Sequence, residues 1–173
     1  MTPLELKNGE AYEVWCDVGG TFTDCFVHQP DGSRRCDKVL SSGLVKGTVS
    51  HWIDQNTFID PLRRNDPTDF WIGAKVVWID PLGEPFASQK CLGFDPTDGR
   101  IQLSETHAVA SELGKPVLSG TLDKGQCVRY ELDCGLEAPV LAARLILGLN
   151  STQPLPPLQV RLGTNRGTNA LLT

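Results

Sequence analysis

The sequence predicts an α/β chain in which strands outnumber helices. Three observations lead to this fold class: apolar runs joined by tight turns near the start, a long series of short β-rich runs in the middle, and one clearly helical stretch near the end. A length of 173 residues is enough for one domain that carries an insertion. We therefore expect a small α/β body together with a second, β-rich body.

The first forty residues predict a three-strand meander. Strands are expected at 14–18, 23–28 and 35–40, because each of these runs is apolar and bounded by turn residues. Gly19-Gly20 supplies the first turn and Pro30-Asp31-Gly32 the second, with the proline and glycine that such turns need. The first strand then ends on an acidic residue beside a glycine turn.

The middle section, residues 44–132, predicts a small β-barrel or sandwich. Asp-Pro and Asp-Gly turn signals recur along it at intervals of roughly ten residues. Strands are expected at 70–79, 90–94, 100–103, 116–120 and 126–132. Trp52, Trp71 and Trp78 are interpreted as core or cover of this β-rich body, since aromatic side chains mostly serve packing.

One helix is predicted at 137–148. Pro139 suits its first turn and Gly148 its end, and the segment is apolar almost all round, so it must be buried on most sides. A short strand is expected at 159–162. The last eleven residues begin with glycines and hydroxyls and then start a second helix at Thr168, where free backbone N–H groups can bind an anion. We expect the polypeptide to continue beyond that point.

Composition limits the choice of partners. The net charge is −5 and no block of lysines and arginines occurs, so neither nucleic acid nor an anionic membrane is expected. No long apolar run and no signal peptide is present, which predicts a cytoplasmic protein. The six cysteines form no Cys-x-x-Cys pair, and we interpret them as reduced and buried rather than as zinc ligands.

Residues 17–24 carry the most informative pattern. Two glycines and two hydroxyl residues lie between two carboxylates: Asp17, Gly19, Gly20, Thr21, Thr23 and Asp24. Glycines let backbone N–H groups approach phosphate oxygens, hydroxyls add donors, and carboxylates hold Mg²⁺ mostly through water. The alternative is a plain hairpin whose Asp and Thr side chains only satisfy the backbone of the turn.

Two segments resemble one protein family. Residues 17–24 resemble the N-terminal signature of the hydantoinase A/5-oxoprolinase family, and residues 160–172 resemble its second signature, a strand followed by a Gly-Thr loop and Thr-Asn-Ala-Leu. The first segment also looks like the phosphate hairpin of the wider sugar kinase and actin superfamily. Two departures occur in the second segment: Asn165 replaces a threonine, and Gly167 stands where alanine is common.

The resemblance implies a ribonuclease H-like fold, a five-stranded sheet opened by a three-strand meander, as in one half of an actin-like ATPase. Residues 1–43 and 133–173 would form this subdomain in truncated form, and residues 44–132 would be a β-rich insertion without a counterpart in the family. In the second loop, the alternative is an ordinary helix entry capped by Thr168.

The resemblance also implies a function. Family members use ATP and Mg²⁺ to open a cyclic amide or imide such as 5-oxoproline or a hydantoin, because a resonance-stabilised lactam is a poor electrophile until its oxygen is phosphorylated. Asp17 is the predicted catalytic residue and first metal ligand, and Asp24 the second metal ligand. The predicted nucleotide-binding residues are Gly19, Gly20, Thr21, Thr23, Gly163, Thr164, Asn165, Thr168 and Asn169.

The expected partners are the small cyclic amide and either the rest of the same polypeptide or a second subunit. The isolated piece is expected to be inactive, since actin-like ATPases hold the nucleotide between two halves. Two alternatives remain open: an assembly module of a complex like the ATP-dependent ketone carboxylases, and a small-molecule kinase of the same superfamily.

Overall fold

The computed structural model describes residues 11–105 and 128–164. These residues form eleven strands and one α-helix, which confirms the prediction that strands outnumber helices. They divide into two compact units: a first unit of residues 11–43 and 136–164, and a second unit of residues 44–105 and 128–135.

The first unit is built on a mixed four-stranded sheet. Strands β1 (Tyr12–Val18), β2 (Phe22–His28) and β3 (Arg34–Leu40) form an antiparallel meander, which confirms the three predicted strands. The last strand of the described chain, β11 (Leu158–Thr164), pairs with β1 in parallel. The sheet order is therefore β11-β1-β2-β3.

One face of this sheet is covered by helix α1 (Ala138–Leu147), which confirms the predicted helix. Its buried side chains, such as Leu141 and Ala142, lie on the sheet side where Val14 and Val27 are also buried. The helix ends at Gly148, whose φ of 69° is left-handed. No helix among the residues described is long and apolar enough to cross a membrane.

The opposite face of the sheet is exposed in the described part of the chain. Side chains alternate along a strand, so the residues between the buried positions of β1 and β2 point away from α1. We call this surface the open face; it carries Trp15, Asp17, Phe22, Asp24 and Phe26. Its three aromatic side chains are 42 %, 47 % and 49 % exposed. The Arg161 guanidinium of β11 lies 4.7 Å from the centre of the Trp15 ring.

The second unit is an antiparallel half-barrel of seven strands with the order β4-β10-β7-β8-β9-β6-β5. Its strands are β4 (Val45–Thr48), β5 (His51–Trp52), β6 (Thr57–Ile59), β7 (Lys75–Ile79), β8 (Pro85–Asp95), β9 (Arg100–Leu103) and β10 (Arg129–Asp133). The long strand β8 pairs with β7 through its first half and with β9 through its second.

An aromatic cluster fills this unit. Trp52, Phe58, Trp78 and Tyr130 have neighbouring ring centres 5.1 to 6.0 Å apart. Trp78 is fully buried, and so is Trp71 elsewhere in the unit. The predicted packing role of the three tryptophans in this region is confirmed.

The predicted strand at 70–79 begins only at Lys75. Residues 70–74 turn instead, because Asp69 and Gly73 adopt left-handed φ values of 61° and 88°. The Trp71 indole N–H donates a 2.8 Å hydrogen bond to Asp66 and anchors this turn. Strands β4, β5 and β6 were not predicted, and the strand predicted at 116–120 lies outside the described residues.

Candidate functional site

Two carboxylates face each other across the first hairpin. Asp17 of β1 and Asp24 of β2 are direct cross-strand partners, and both point to the open face. Side chains in such a pair have Cβ atoms about 4.5–5.5 Å apart, and like charges at this spacing repel. A cation bound between them would relieve the repulsion.

The two carboxylates differ in their partners. The Lys38 ammonium lies 3.1 Å from Asp24, in an exposed ion pair that offsets part of the negative charge. Among the residues described, no hydrogen bond or ion pair reaches the Asp17 carboxylate, which is exposed. Asp17 is therefore the more available ligand of the two.

The glycine corner, residues 19–22, joins the two strands. The Gly19 N–H donates a 2.9 Å hydrogen bond to the Phe22 carbonyl. A Cβ at Gly19 would lie 2.8 Å from that same oxygen, so the turn requires glycine there. A Cβ at Gly20 would meet nothing within 4 Å.

The next two amides of the corner are available to a ligand. Gly20 and Thr21 are exposed, and within the described ranges their N–H groups donate no hydrogen bond. Adjacent free N–H groups in a turn make a concave site for an anion. The corner thus presents bare amides three and four residues after Asp17 in the chain.

Ser41, which the sequence analysis missed, supports this corner. Its N–H donates to the Thr21 carbonyl and its hydroxyl to the Gly19 carbonyl, both at 2.9 Å. The same hydroxyl lies 3.0 Å from the Thr23 hydroxyl. A serine directly after the third strand of the meander is the signal that could have indicated this contact.

The two threonines of the motif have different environments. Thr21 is exposed in the corner, where its hydroxyl can reach a ligand. Thr23 is fully buried on the α1 side of the sheet, and its hydroxyl contacts Ser41. Thr23 thus supports the glycine corner through Ser41 and does not point to the open face. Of the two threonines, Thr21 is the better placed to bind a nucleotide.

Strand β11 brings part of the second predicted motif to the same place. Gly163 is the register partner of Asp17, and Thr164 is the partner of Val18. Both are exposed, and a Cβ at Gly163 would lie at an ordinary 3.7 Å from Asp17 Oδ1. The other predicted residues of this motif, Asn165, Thr168 and Asn169, lie outside the described residues.

The carboxylate pair suits a magnesium ion only with further ligands. In the described part of the chain, no group of three or more His, Cys, Asp or Glu side chains could hold a metal. Mg²⁺ prefers six oxygen ligands and usually keeps several waters, with one or two carboxylates and phosphate oxygens. Asp17 and Asp24 fit this donor set.

Within the described ranges, Asp17, Gly20 and Thr21 are all exposed. Two cavities of about 290 Å³ lie elsewhere, one beside Arg35 and Ile146 and the other beside Thr48 and Arg129. Neither is lined by a predicted site residue.

A thiol pair lies behind the carboxylates. Cys16 and Cys25 are cross-strand partners with sulfur atoms 3.2 Å apart, buried on the α1 side. The hydrogen bond with Cys25 lowers the pKa of Cys16 against the opposing effect of burial. The pKa of Cys25 is raised, mainly by the same hydrogen bond and secondly by burial of the thiol.

The other cysteines only partly follow the expectation of buried thiols. Cys91 is buried and Cys134 half-buried, whereas Cys36 is exposed on β3. Cys127 lies outside the described residues.

No protein-family model, curated protein or solved structure matches this chain. The comparisons therefore leave the resemblance to the hydantoinase A/5-oxoprolinase family a prediction.

Proposed function

We propose that this chain contributes the phosphate-binding corner of an ATP-dependent hydrolase that opens a cyclic amide or imide of the 5-oxoproline or hydantoin type. The observation that carries the proposal is the pairing of β1 with β11, which puts Gly163 beside Asp17. The described start of the second motif, residues 160–164, thus lies beside the strand that leads into the first motif.

The strand order supports a ribonuclease H-like interpretation of the first unit. The sheet opens with a three-strand meander, and a helix then leads into a strand parallel to β1. The motif carboxylate lies near the carboxyl end of β1, next to the corresponding end of β11. In sheets with parallel strands, ligands bind outside these ends.

The glycine corner and the carboxylate pair have separate roles in this proposal. The free amides of Gly20 and Thr21 bind terminal phosphate oxygens, and Asp17 with Asp24 holds Mg²⁺ through water. When bound, ATP supplies the phosphoryl group that activates the ring oxygen of the amide. Phosphoryl transfer asks the protein mainly for positioning and charge neutralisation, which backbone amides and a held cation provide.

The site needs a second half. The exposed aromatic side chains Trp15, Phe22 and Phe26 lie on the same face as the carboxylates. We propose that the rest of the polypeptide or a second subunit covers this face and encloses the nucleotide. The chain alone is then expected to bind nucleotide weakly and to turn nothing over.

Binding can be tested on the chain itself with Mn²⁺·ATP as a paramagnetic probe of an isotope-labelled sample. We expect the amide signals of Val18, Gly20 and Thr21 to broaden first, because the ion lies beside Asp17. Asp17→Asn should abolish this selective broadening. Asp37→Asn is the matched control, since Asp37 is an exposed carboxylate on β3 that points away from the open face.

Uniform weak broadening in the wild-type chain, or unchanged broadening in Asp17→Asn, would remove the metal role of Asp17. In the complete enzyme, Asp17→Ala should lower ATP hydrolysis dependent on 5-oxoproline or a hydantoin by about 10²–10³, the usual effect of losing one electrostatic contact to the transition state. A phosphorylated hydroxyl product would instead favour the small-molecule kinase.

A second candidate function, an assembly module, has its own support. The second unit exposes large apolar side chains, among them Leu82 at 89 % and Leu62 at 67 %. Apolar groups exposed together mark interaction sites, whereas scattered ones are ordinary. Light scattering on the chain with and without residues 44–135 separates the two functions: an oligomer that needs the second unit favours assembly, and a monomer in both cases counts against it.

A further inference from the structure

The thiol pair behind the carboxylates has a geometry suited to covalent chemistry. Cys16 and Cys25 are directly opposed on the antiparallel strands β1 and β2. Their sulfur atoms lie 3.2 Å apart, with side chains 4 % and 0 % exposed. Nothing in the proposed function uses either thiol.

We propose that Cys16 and Cys25 are a redox-active pair that a peroxide converts into a reversible disulfide. Directly opposed residues of an antiparallel pair have Cα atoms about 4.5–5.5 Å apart, within the range of about 4.4–6.8 Å that a disulfide requires. The sulfurs need only approach from 3.2 Å to about 2.05 Å. A disulfide also needs Cβ atoms about 3.5–4.5 Å apart, which is at or just below the spacing of opposed residues, so side-chain rotation with a small local adjustment of the two strands closes the bond.

The reaction balances with one peroxide. The thiol of Cys16, the less deeply buried of the two residues, attacks a peroxide oxygen; the O–O bond breaks, water leaves, and Cys16 becomes a sulfenic acid. The Cys25 sulfur then attacks the Cys16 sulfur, the S–O bond breaks, and a second water carries away the oxygen. Two thiols are oxidised by two electrons in total, one peroxide is reduced to two waters, and a dithiol reductant restores the pair.

The location gives the pair a consequence for the hairpin. Each cysteine is the chain neighbour of a motif carboxylate, Cys16 of Asp17 and Cys25 of Asp24. A covalent bond between β1 and β2 at this point fixes the strand pair directly behind the carboxylates. The inference does not depend on the proposed function, because the bond itself is what the experiment detects.

Peptide mapping of the whole chain tests the proposal. The reduced protein is treated with hydrogen peroxide, and its remaining thiols are then alkylated in denaturant before trypsin digestion. The tryptic peptide of residues 8–34 contains Cys16 and Cys25 and no other cysteine. We expect this peptide to become lighter by two hydrogens and to escape alkylation, and dithiothreitol added before alkylation should reverse both changes.

Three comparisons test whether the bond joins Cys16 to Cys25 and depends on the fold. Cys36→Ser should leave the result unchanged, because Cys36 is exposed on the opposite face of the sheet. When the wild-type chain is unfolded in guanidinium before oxidation, it should no longer form the Cys16–Cys25 disulfide in preference to other disulfides. In Cys25→Ser, Cys16 should stop at the sulfenic acid, which dimedone labels.

The proposal fails if, after oxidation of the folded wild-type chain, Cys16 and Cys25 are alkylated in denaturant as fully as Cys91 is. It also fails if the Cys16–Cys25 disulfide forms as fast in the unfolded chain as in the folded chain. The wild-type comparison needs no variant, so a substitution that disturbs folding does not affect the outcome.

Discussion

At the scale of single residues, the face to which a side chain points decides its role. Asp17, Asp24 and Thr23 belong to one eight-residue motif, yet the two carboxylates point to the open face while Thr23 is buried against Ser41. The motif predicted the residue types and the turn. It did not distinguish Thr21 from Thr23, because that difference depends on where α1 packs.

The two corner glycines allow a matched test of stability. Gly19→Ala should destabilise the chain by about 1–3 kcal/mol, because its Cβ would lie 2.8 Å from the Phe22 carbonyl oxygen. Gly20→Ala should change stability little or raise it by about 0.4–1 kcal/mol, since nothing lies within 4 Å and the unfolded chain loses freedom. Urea unfolding of both variants measures the difference.

Equal destabilisation by the two substitutions would show that the corner does not have this geometry. Gly20→Ala also matters for function: if it folds normally, any loss of Mn²⁺·ATP binding reports on the bare amides and not on folding.

At the scale of elements, local conformation overrides an apolar pattern in the second unit. The run at 70–79 is rich in β-formers, but left-handed φ values at Asp69, just before the run, and at Gly73, within it, keep residues 70–74 out of the strand. Trp71 is fully buried in the resulting turn, and its indole N–H donates a hydrogen bond to Asp66. The sequence spacing did not indicate this contact. Strands β5 and β6, with two and three residues, are too short for a periodic signal.

A buried carboxylate secures the turn after β6. Asp60 is 1 % exposed and accepts hydrogen bonds from the N–H groups of Thr48 and Leu62. The Tyr130 hydroxyl donates to it at 2.6 Å. Burial, and then this hydrogen bond, raise the pKa of Tyr130, so the phenol stays protonated as a donor.

Tyr130→Phe should therefore lower the free energy of unfolding by about 1.5–3 kcal/mol, the usual value of a hydrogen bond to a charged group. Tyr12→Phe is the control: Tyr12 is equally buried in the first unit, and its hydroxyl has no hydrogen-bond partner among the residues described. Chemical denaturation compares the two variants. A loss from Tyr130→Phe no larger than that from Tyr12→Phe would contradict the role of the Asp60 contact.

At the scale of the whole molecule, the two units have separate cores. The chain leaves the first unit after Gly43 and re-enters it at Leu136. The backbone of Gly43, with a left-handed φ of 75°, touches the Leu136 carbonyl so closely that no Cβ would fit. The two ends of the second unit are thus adjacent at their attachment to the first.

We therefore expect that a short linker can take the place of the second unit without preventing the first unit from folding. With a few Gly and Ser residues in place of 44–135, we expect the first unit to fold with α1 and its four-stranded sheet intact, as judged by circular dichroism and dispersed amide signals. Leu141→Ala in the shortened chain should then cost about 2–5 kcal/mol, because the side chain is fully buried in the same core.

Collapsed amide dispersion in the shortened chain would show that the first unit depends on the second for its fold. If Leu141→Ala left the free energy of unfolding of the shortened chain unchanged, the core of the first unit would have repacked.

Sequence alone determined the meander, the helix and the motif of glycines and carboxylates, because these follow from short-range patterns: alternating apolar runs, turn residues and helix-end signals. Only the tertiary structure decided that β11 lies beside β1, that Thr23 is buried and Ser41 supports the corner, and that Cys16 meets Cys25. Such relations depend on which strands pair and on the face against which α1 packs, and local preference does not fix either.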